Sequence, residues 1–234
     1  MTLRGIPGDE AWCTRLRTDV AQRLLDTGAP GLEINVRDAV VSESLMTLTT
    51  LDPPVTGLVS MWTHQCYGDQ IRAATTLLSD TCEEVAAYLV TESVPLTPPQ
   101  TDPGERTPGF ANVALLRRPV ELDEATWLAR WHDDHTQIAI DTQSTFGYTQ
   151  NAVVRALTED APPISAIVEE LFPIQAISDL HAFFGAVDDA DLSDRMARMV
   201  ASTAAFGANR NIDTVPTSRY VFRSAFAPAA RLQR

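Results

Sequence analysis

The chain has 234 residues, of which 31 are acidic and 18 are basic, so its formal net charge at pH 7 is -13. All 18 basic residues are arginine, and the absence of lysine excludes Schiff-base catalysis, a phosphate loop with its lysine, and a lysine general base. A chain this acidic lacks the positive surface that nucleic acid or an anionic membrane would require, so we expect neither as a partner.

The N-terminal half reads as alternating extended and helical stretches. Residues 2–6 form a short candidate strand, and Asp9 opens a helical pattern after it. Extended runs follow at residues 31–36 and 55–62, and a second helical region is predicted over residues 68–90.

Residues 94–109 carry five prolines and two glycines, which predicts a linker or a long crossover. The same order of elements recurs after it, with the first helix opened by Asp123 and offset by about 115 residues from its counterpart. The predicted elements here are strands at 110–116, 147–154, 164–171 and 218–222, and a second helical region at 176–206.

The second half therefore predicts the order β-α-β-β-α-β, which is the ferredoxin-like unit, and the first half repeats this order without a predicted last strand. Its antiparallel sheet carries both helices on one face and leaves the other face in need of a partner. We expect an α+β protein in which two tandem ferredoxin-like repeats form a pseudo-dimeric α+β barrel. The predicted domains are a degraded first repeat at 1–96, a proline-rich linker at 97–109 and a second repeat at 110–234.

Two of the four histidines lie together on the first helix of the second half. On a period of 3.6 residues, Trp131, His132 and His135 share one face, so both imidazoles point inward. Such a pair in an apolar site is typical of a general acid/base pocket, although hydrogen-bonded core histidines would give the same pattern. The aligned positions of the first half hold Arg17 and Val20, so the fold alone does not demand histidine there.

Side chains of the following strands are candidates for the pocket wall. Tyr148 and Gln150 share one face of their strand, and Asn151 lies on the other. At the end of the next strand either Glu169 or Glu170 could reach the histidines, and a slip of one residue exchanges the two.

Metal and disulfide sites have little support in the sequence. His132 and His135 could present two ligands to a metal, but no third histidine lies nearby and the HExxH arrangement is absent. Cys13, Cys66 and Cys82 are odd in number and widely separated, so we expect free thiols. We therefore expect no metal.

Three segments of the second half together resemble the EthD-domain family of the dimeric α+β barrel superfamily. They read WHDDH at residues 131–135, GYTQN at 147–151 and IVEELF at 167–172, and the family has W-H-x-x-H, Y-x-Q-N and E-x-W/F in that order. The resemblance covers residues 110–222, and residues 9–95 resemble a decayed second copy. Relatives in the superfamily include polyketide cyclases, muconolactone-type isomerases, monooxygenases and haem proteins.

The resemblance implies a cofactor-free general acid/base enzyme acting on a small hydrophobic, aromatic or polyketide-like molecule. A cyclase, isomerase or lyase is favoured over an oxidoreductase. His135 would be the base and His132 its partner or a donor to the substrate, with the aromatic residues shaping the pocket and an amide orienting a carbonyl. The expected substrate-binding residues are Trp131, Tyr148, Gln150, Asn151, Glu169 and Phe172.

The alternative is a non-catalytic binding or accessory protein of a degradation or biosynthesis pathway, and a haem protein is a third possibility. No leader and no apolar run of about 20 residues can be recognised, so we expect a cytoplasmic protein. We further expect a homo-oligomer such as a dimer.

Overall fold

Nine strands form an antiparallel sheet in the computed structural model, which describes residues 1–5 and 9–226. The expected α+β class is confirmed. The strands are β1 (Thr2–Arg4), β2 (Gly31–Val36), β3 (Val55–Trp62), β4 (Glu84–Ala86), β5 (Tyr88–Leu96), β6 (Phe110–Leu116), β7 (Gly147–Ala156), β8 (Ala166–Phe172) and β9 (Asp213–Arg223). Ile6, the last residue of the predicted opening strand, and residues 227–234 of the predicted second repeat lie outside the described residues.

The helices occupy the stretches between these strands. They are α1 (Glu10–Arg15), α2 (Ala21–Asp26), α3 (Asp69–Ser79), α4 (Glu124–Ala129), α5 (Thr136–Thr142), α6 (Leu180–Phe184) and α7 (Asp189–Ala205). A π-helical segment, Leu16–Val20, joins α1 to α2, and a second one, Arg130–His135, joins α4 to α5. A short 3-10 turn, Ile174–Ile177, follows β8.

Side-chain caps fix the start of the first helix in each half. Asp9 accepts a hydrogen bond from the backbone nitrogen of Trp12 at 2.6 Å, and Asp123 accepts one from that of Thr126 at 2.9 Å. Each cap satisfies a backbone donor that the first helical turn leaves free. Both helices therefore begin where the sequence predicts.

The strand order is β4-β1-β3-β2-β9-β6-β8-β7-β5. Within each half the strands lie in the order fourth, first, third, second, and the halves meet where β2 pairs with β9. The remaining strand, β5, pairs with β7 at the far end of the order. Only Ala87 separates β4 from β5 along the chain, so one residue connects the two ends of the strand order.

The helix predicted over residues 68–90 is wrong beyond Ser79. The helix α3 ends there, and the hydroxyl of Thr81 donates to the carbonyl oxygen of Leu78 at 2.7 Å. The residues that follow form β4 and β5, which pair with β1 and β7. Pairing with strands distant in sequence outweighs the local helical pattern here.

The proline-rich segment 97–109 contains no helix or strand, but it is bound to β9. The backbone nitrogens of Gly104 and Thr107 donate to the carbonyl oxygens of Val221 and Arg219, each at 2.8 Å. The predicted linker is thus attached along β9 by backbone hydrogen bonds. In addition β5, which was assigned to the first repeat, pairs with a strand of the second half.

Apolar side chains of the sheet divide between its two faces. On one face a cluster around Leu32 and Ile34 packs under α1 to α3, and a second cluster around Trp131 and Tyr148 packs under α4, α5 and α7. On the opposite face, side chains from both halves form one cluster, which includes Leu58, Tyr88, Val113, Ile167 and Val215. The two faces therefore have separate cores.

Candidate functional site

The π-helical segment Arg130–His135 sets the side-chain orientation of the two predicted histidines. In such a segment each backbone hydrogen bond spans one residue more than in an α-helix. The side chains therefore point in directions that differ from those of a 3.6-residue period. Trp131 is fully buried and His135 is 8% exposed, whereas His132 is only half-buried. The wider turn leaves His132 at the edge of the helix face that packs on the sheet.

His135 is held between α5 and α7. Its Nδ1 lies 2.8 Å from the hydroxyl oxygen of Ser202, and its ring centroid lies 4.8 Å from that of Phe206. Burial lowers the pKa of His135 to about 4, because a charged imidazole loses its hydration there. The ring is therefore neutral at physiological pH.

His132 occupies a different environment from His135. Its ring lies against Trp131 with 4.4 Å between the centroids, and its Nε2 is a buried atom with no hydrogen-bond partner in the described part of the chain. Burial lowers the pKa of this imidazole as well, with a smaller opposing effect from Asp133. Of the two predicted catalytic histidines, His135 faces the cavity described next.

A cavity of about 310 Å³ lies between the sheet and the helices of the second half. A loop of the first half also contributes to its wall. The lining side chains are Leu45, Met46, Leu48, Asn112, Ala114, Leu116, Trp131, His135, Gln143, Tyr148, Val168, Glu170, Phe183, Met199, Thr203, Phe206, Ala208, Ile212 and Thr214. We call this the helix-side cavity. Most of its wall is apolar, as is usual for a small-molecule site.

Three polar side chains form a row across the sheet floor of the helix-side cavity. Glu170 lies directly opposite Asn112 on β6 and opposite Tyr148 on β7. Burial raises the pKa of Glu170 to about 7, and it raises the pKa of the Tyr148 hydroxyl, with a further contribution from the Glu170 carboxyl. Glu170 therefore changes its protonation state near neutral pH, in a cavity that it shares with His135.

Two other predicted site residues lie on the helix side of the sheet but outside the lining of that cavity. Gln150 donates to the hydroxyl of Thr136 at 2.9 Å and so ties β7 to α5. Phe172 is fully buried and stacks on Phe183 with 4.2 Å between the ring centroids. Both side chains support the cavity through their neighbours.

Asn151 and Glu169 lie on the opposite face of the sheet from the histidines. Glu169 accepts hydrogen bonds from Asn35 at 2.7 Å and from Asn151 at 3.4 Å. Next to it Glu33 forms a bidentate ion pair with Arg219, at 2.7 and 2.5 Å. Burial and the Glu33 carboxyl raise the pKa of Glu169 well above its usual range. The register thus brings Glu170, and not Glu169, to the cavity that His135 lines.

Sequence reasoning missed several residues of the helix-side cavity. The strand alternation left Glu170 as an equal alternative to Glu169, and the pairing of Glu170 with Tyr148 decides between them. Asn112 carried a different signal, since it is the one polar residue of the otherwise apolar strand β6. Ser202 and the loop residues 45–48 gave no signal, because their contacts are distant in sequence.

No family model matches the chain, and a search of curated proteins also finds no match. In residues 1–5 and 9–226, no group of three or more His, Cys, Asp or Glu side chains is placed to hold a metal ion. None of the helices in that part of the chain has the length and apolar composition needed to cross a bilayer.

Proposed function

We propose that the two halves are diverged ferredoxin-like repeats that close into an α+β barrel of the EthD type. The strand order of fourth, first, third, second in both halves supports this proposal. Two observations support closure of the sheet. Ala87 alone connects β4 to β5, and both halves contribute to one apolar cluster on the face opposite the helices. The expected chemistry rests on the resemblance to the EthD-domain family.

We propose that the protein is a cofactor-free general acid/base enzyme for a small, largely hydrophobic molecule bound in the helix-side cavity. One observation carries the proposal: His135 and Glu170 line the same mostly apolar cavity. Burial shifts the pKa of both side chains, to about 4 and about 7. Titratable groups with shifted pKa values in an apolar cavity are typical of acid/base sites.

In this proposal His135 accepts a proton from the substrate, because its imidazole is neutral above about pH 5. The Ser202 hydroxyl fixes the ring orientation through Nδ1. Glu170 binds the polar group of the substrate and sets the pH dependence near neutrality. Trp131 and Tyr148 form walls of the site. A cyclase, isomerase or lyase reaction suits these groups better than an oxidoreductase reaction.

Hydrogen exchange at carbon tests this function whichever of these reactions the protein catalyses. Small aromatic and alicyclic carbonyl compounds, with and without an amino group, are incubated with the protein in D₂O, and the loss of carbon-bound protons is followed by NMR. We expect catalysed exchange for at least one compound. His135→Ala should reduce its rate by about 10²-fold or more, since general base catalysis contributes that much.

The matched control is His64→Ala, because His64 is exposed and lies outside the cavity lining. Circular dichroism verifies that both variants fold. Equal exchange rates in the wild type and in the His135 variant would contradict the assignment of the base.

A non-catalytic binding protein is the second candidate. The bond of His135 to Ser202 and the low pKa of the ring favour it, since a core histidine that satisfies its neighbours has these same properties. The exchange experiment separates the two candidates. A binding protein retains ligand in the cavity but catalyses no exchange with any compound.

A further inference from the structure

Among the described residues that line the helix-side cavity, none gives the Glu170 carboxyl a charged partner. The Glu170 side chain is 8% exposed, and burial is the sole cause of its raised pKa. No arginine is among the described residues that line the cavity, His135 is neutral there, and the chain contains no lysine. Buried carboxylates in proteins are normally paired with a cation or with hydrogen-bond donors, so Glu170 can receive such a partner from a ligand.

Two further side-chain oxygens in the wall of this cavity also have no hydrogen-bond partner in the described residues. They are Oδ1 of Asn112 and Oε1 of Gln143, and both atoms are buried. Asn112 lies directly opposite Glu170 across β6 and β8. The described lining of the cavity therefore offers three groups that can accept hydrogen bonds from a ligand, Glu170, Asn112 and Gln143, together with one unpaired donor, the indole Nε1–H of Trp131. Each unpaired buried atom carries a desolvation cost.

Aromatic rings complete this environment. Trp131 and Tyr148 line the cavity and are both almost fully buried, and Phe206 lines its helix side. The faces of such rings attract cations, most strongly when the cation is desolvated. Rings together with a buried carboxyl provide both parts of a site for an organic cation.

We propose that the ligand of the helix-side cavity carries a protonated primary amine, which Glu170 binds. This inference rests on the proposed function for the location of the site, and it adds the chemical class of the substrate. A primary ammonium group has three N–H donors, which suit the Glu170 carboxylate and the unpaired side-chain oxygen of Asn112 directly opposite it. A ligand carboxylate or phosphate would instead meet the Glu170 charge with no arginine to compensate.

Binding of an ammonium group is coupled to the protonation of Glu170. Without ligand this carboxyl has a pKa of about 7, and a neighbouring positive charge favours its ionised form. The protein should therefore release protons when the amine binds at pH 6.5. An uncharged ligand would cause little release.

Calorimetry with three probes of similar shape tests the proposal: 2-phenylethylamine, 2-phenylethanol and 3-phenylpropanoate. We expect the amine to bind at least tenfold more tightly than the alcohol at pH 7.5, and the carboxylate to bind more weakly than either. Titration of the amine at pH 6.5 in two buffers of different ionisation enthalpy should report proton release. This measurement requires no variant.

Glu170→Gln should weaken amine binding by at least tenfold and leave alcohol binding within about threefold. The control is Glu169→Gln, which makes the same change one residue earlier, on the opposite face, and should leave amine binding within twofold. Thermal melts establish that both variants fold. The inference is overturned if no probe binds, if the alcohol or the carboxylate equals the amine, or if the two variants behave alike.

The outcomes also separate this inference from the proposed function. Amine binding that depends on Glu170 without any catalysed exchange in D₂O supports the ligand class and contradicts the enzyme. Catalysed exchange that is restricted to compounds without an amino group supports the enzyme and contradicts the ligand class.

Discussion

Four strands of each half lie in the same order, yet the two halves differ on the helix side of the sheet. In the first half, Leu16, Val20, Leu32 and Ile34 belong to a single buried apolar cluster under the helices. In the second half, the same side holds a cavity with titratable groups. The same strand order therefore accommodates either apolar packing or a cavity with titratable side chains on this side of the sheet.

Corresponding residues in the two halves show where the helix sides of the sheet differ. Leu32 lies opposite Met61 across β2 and β3, as Tyr148 lies opposite Glu170 across β7 and β8. The π-helical segment that ends at His135 in the second half ends at Val20 in the first. Apolar residues therefore occupy the places in the first half where the second half has a phenol, a carboxyl and an imidazole.

Moving the imidazole to the first half should have the largest effect on stability. Val20 is about 1% exposed and is surrounded by apolar side chains, so Val20→His adds volume and an unsatisfied polar ring to a packed core. We expect a loss of about 4 kcal/mol in the free energy of unfolding, measured by urea denaturation at pH 7.5.

The reverse change, His135→Val, is the matched control. It removes the hydrogen bond to Ser202 but adds apolar surface beside an existing cavity, so it should change the free energy of unfolding by no more than about 1 kcal/mol. If both variants lost equal stability, the two helix-side environments would be equivalent and the comparison of the halves would fail.

The sequence predicted the parts of this comparison that depend on local pattern. Asp9 and Asp123 begin the first helices as expected, and strands such as Gly31–Val36 and Phe110–Leu116 lie where the alternation of residues placed them. The inward direction of His135 also followed from helical periodicity. These features are set by neighbours within a few residues along the chain.

Features that depend on distant contacts could not be predicted. A period of two assigns Glu169 and Glu170 to opposite faces, but only the pairing of β8 with β7 and β6 decides which face has the helices. Residues after Ser79 become strands because β1 and β7 provide partners for them. The π-helical segment, which moves His132 to the edge, has no signature in the sequence.

The pH dependence of stability should show the free-energy cost of burying Glu170. At the corresponding place in the first half, Met61 has no carboxyl. The pKa of Glu170 is about 7 in the folded protein and about 4.5 when unfolded, so the unfolded chain ionises first as the pH rises. Stability is therefore fully present below about pH 4.5 and is lost as the pH rises to about 7, by about 3 kcal/mol for this group.

Glu170→Gln removes this contribution and retains the shape of the side chain. Denaturation at pH 5 and pH 8 should find that the wild type loses about 2.5 kcal/mol more than the variant between the two values, because part of the loss has already occurred at pH 5. The raised pKa of Glu169 acts in both proteins and cancels in the difference. Parallel pH profiles would mean that the cavity solvates Glu170 fully.

The smallest effect concerns the loop of the first half that lines the helix-side cavity. Leu45 and Leu48 line the helix-side cavity although each is more than half exposed. Their loop is attached to the second half by backbone hydrogen bonds between Leu48 and Thr214, and from Leu45 to Ile177. Among the described residues, the first half therefore contributes apolar side chains and no titratable one to the lining of this cavity.

Replacing both leucines with serine should show whether the loop contributes to ligand binding or to the stability of the fold. Because these side chains are exposed, we expect a stability change of about 0.5 kcal/mol or less, but the lost apolar contact should weaken binding of 2-phenylethylamine by about fivefold, or roughly 1 kcal/mol. Val187→Ser, at an exposed position outside the cavity lining, should change neither quantity. If the double variant lost stability and retained its affinity, the loop would be a structural element of the second half and no part of its binding site.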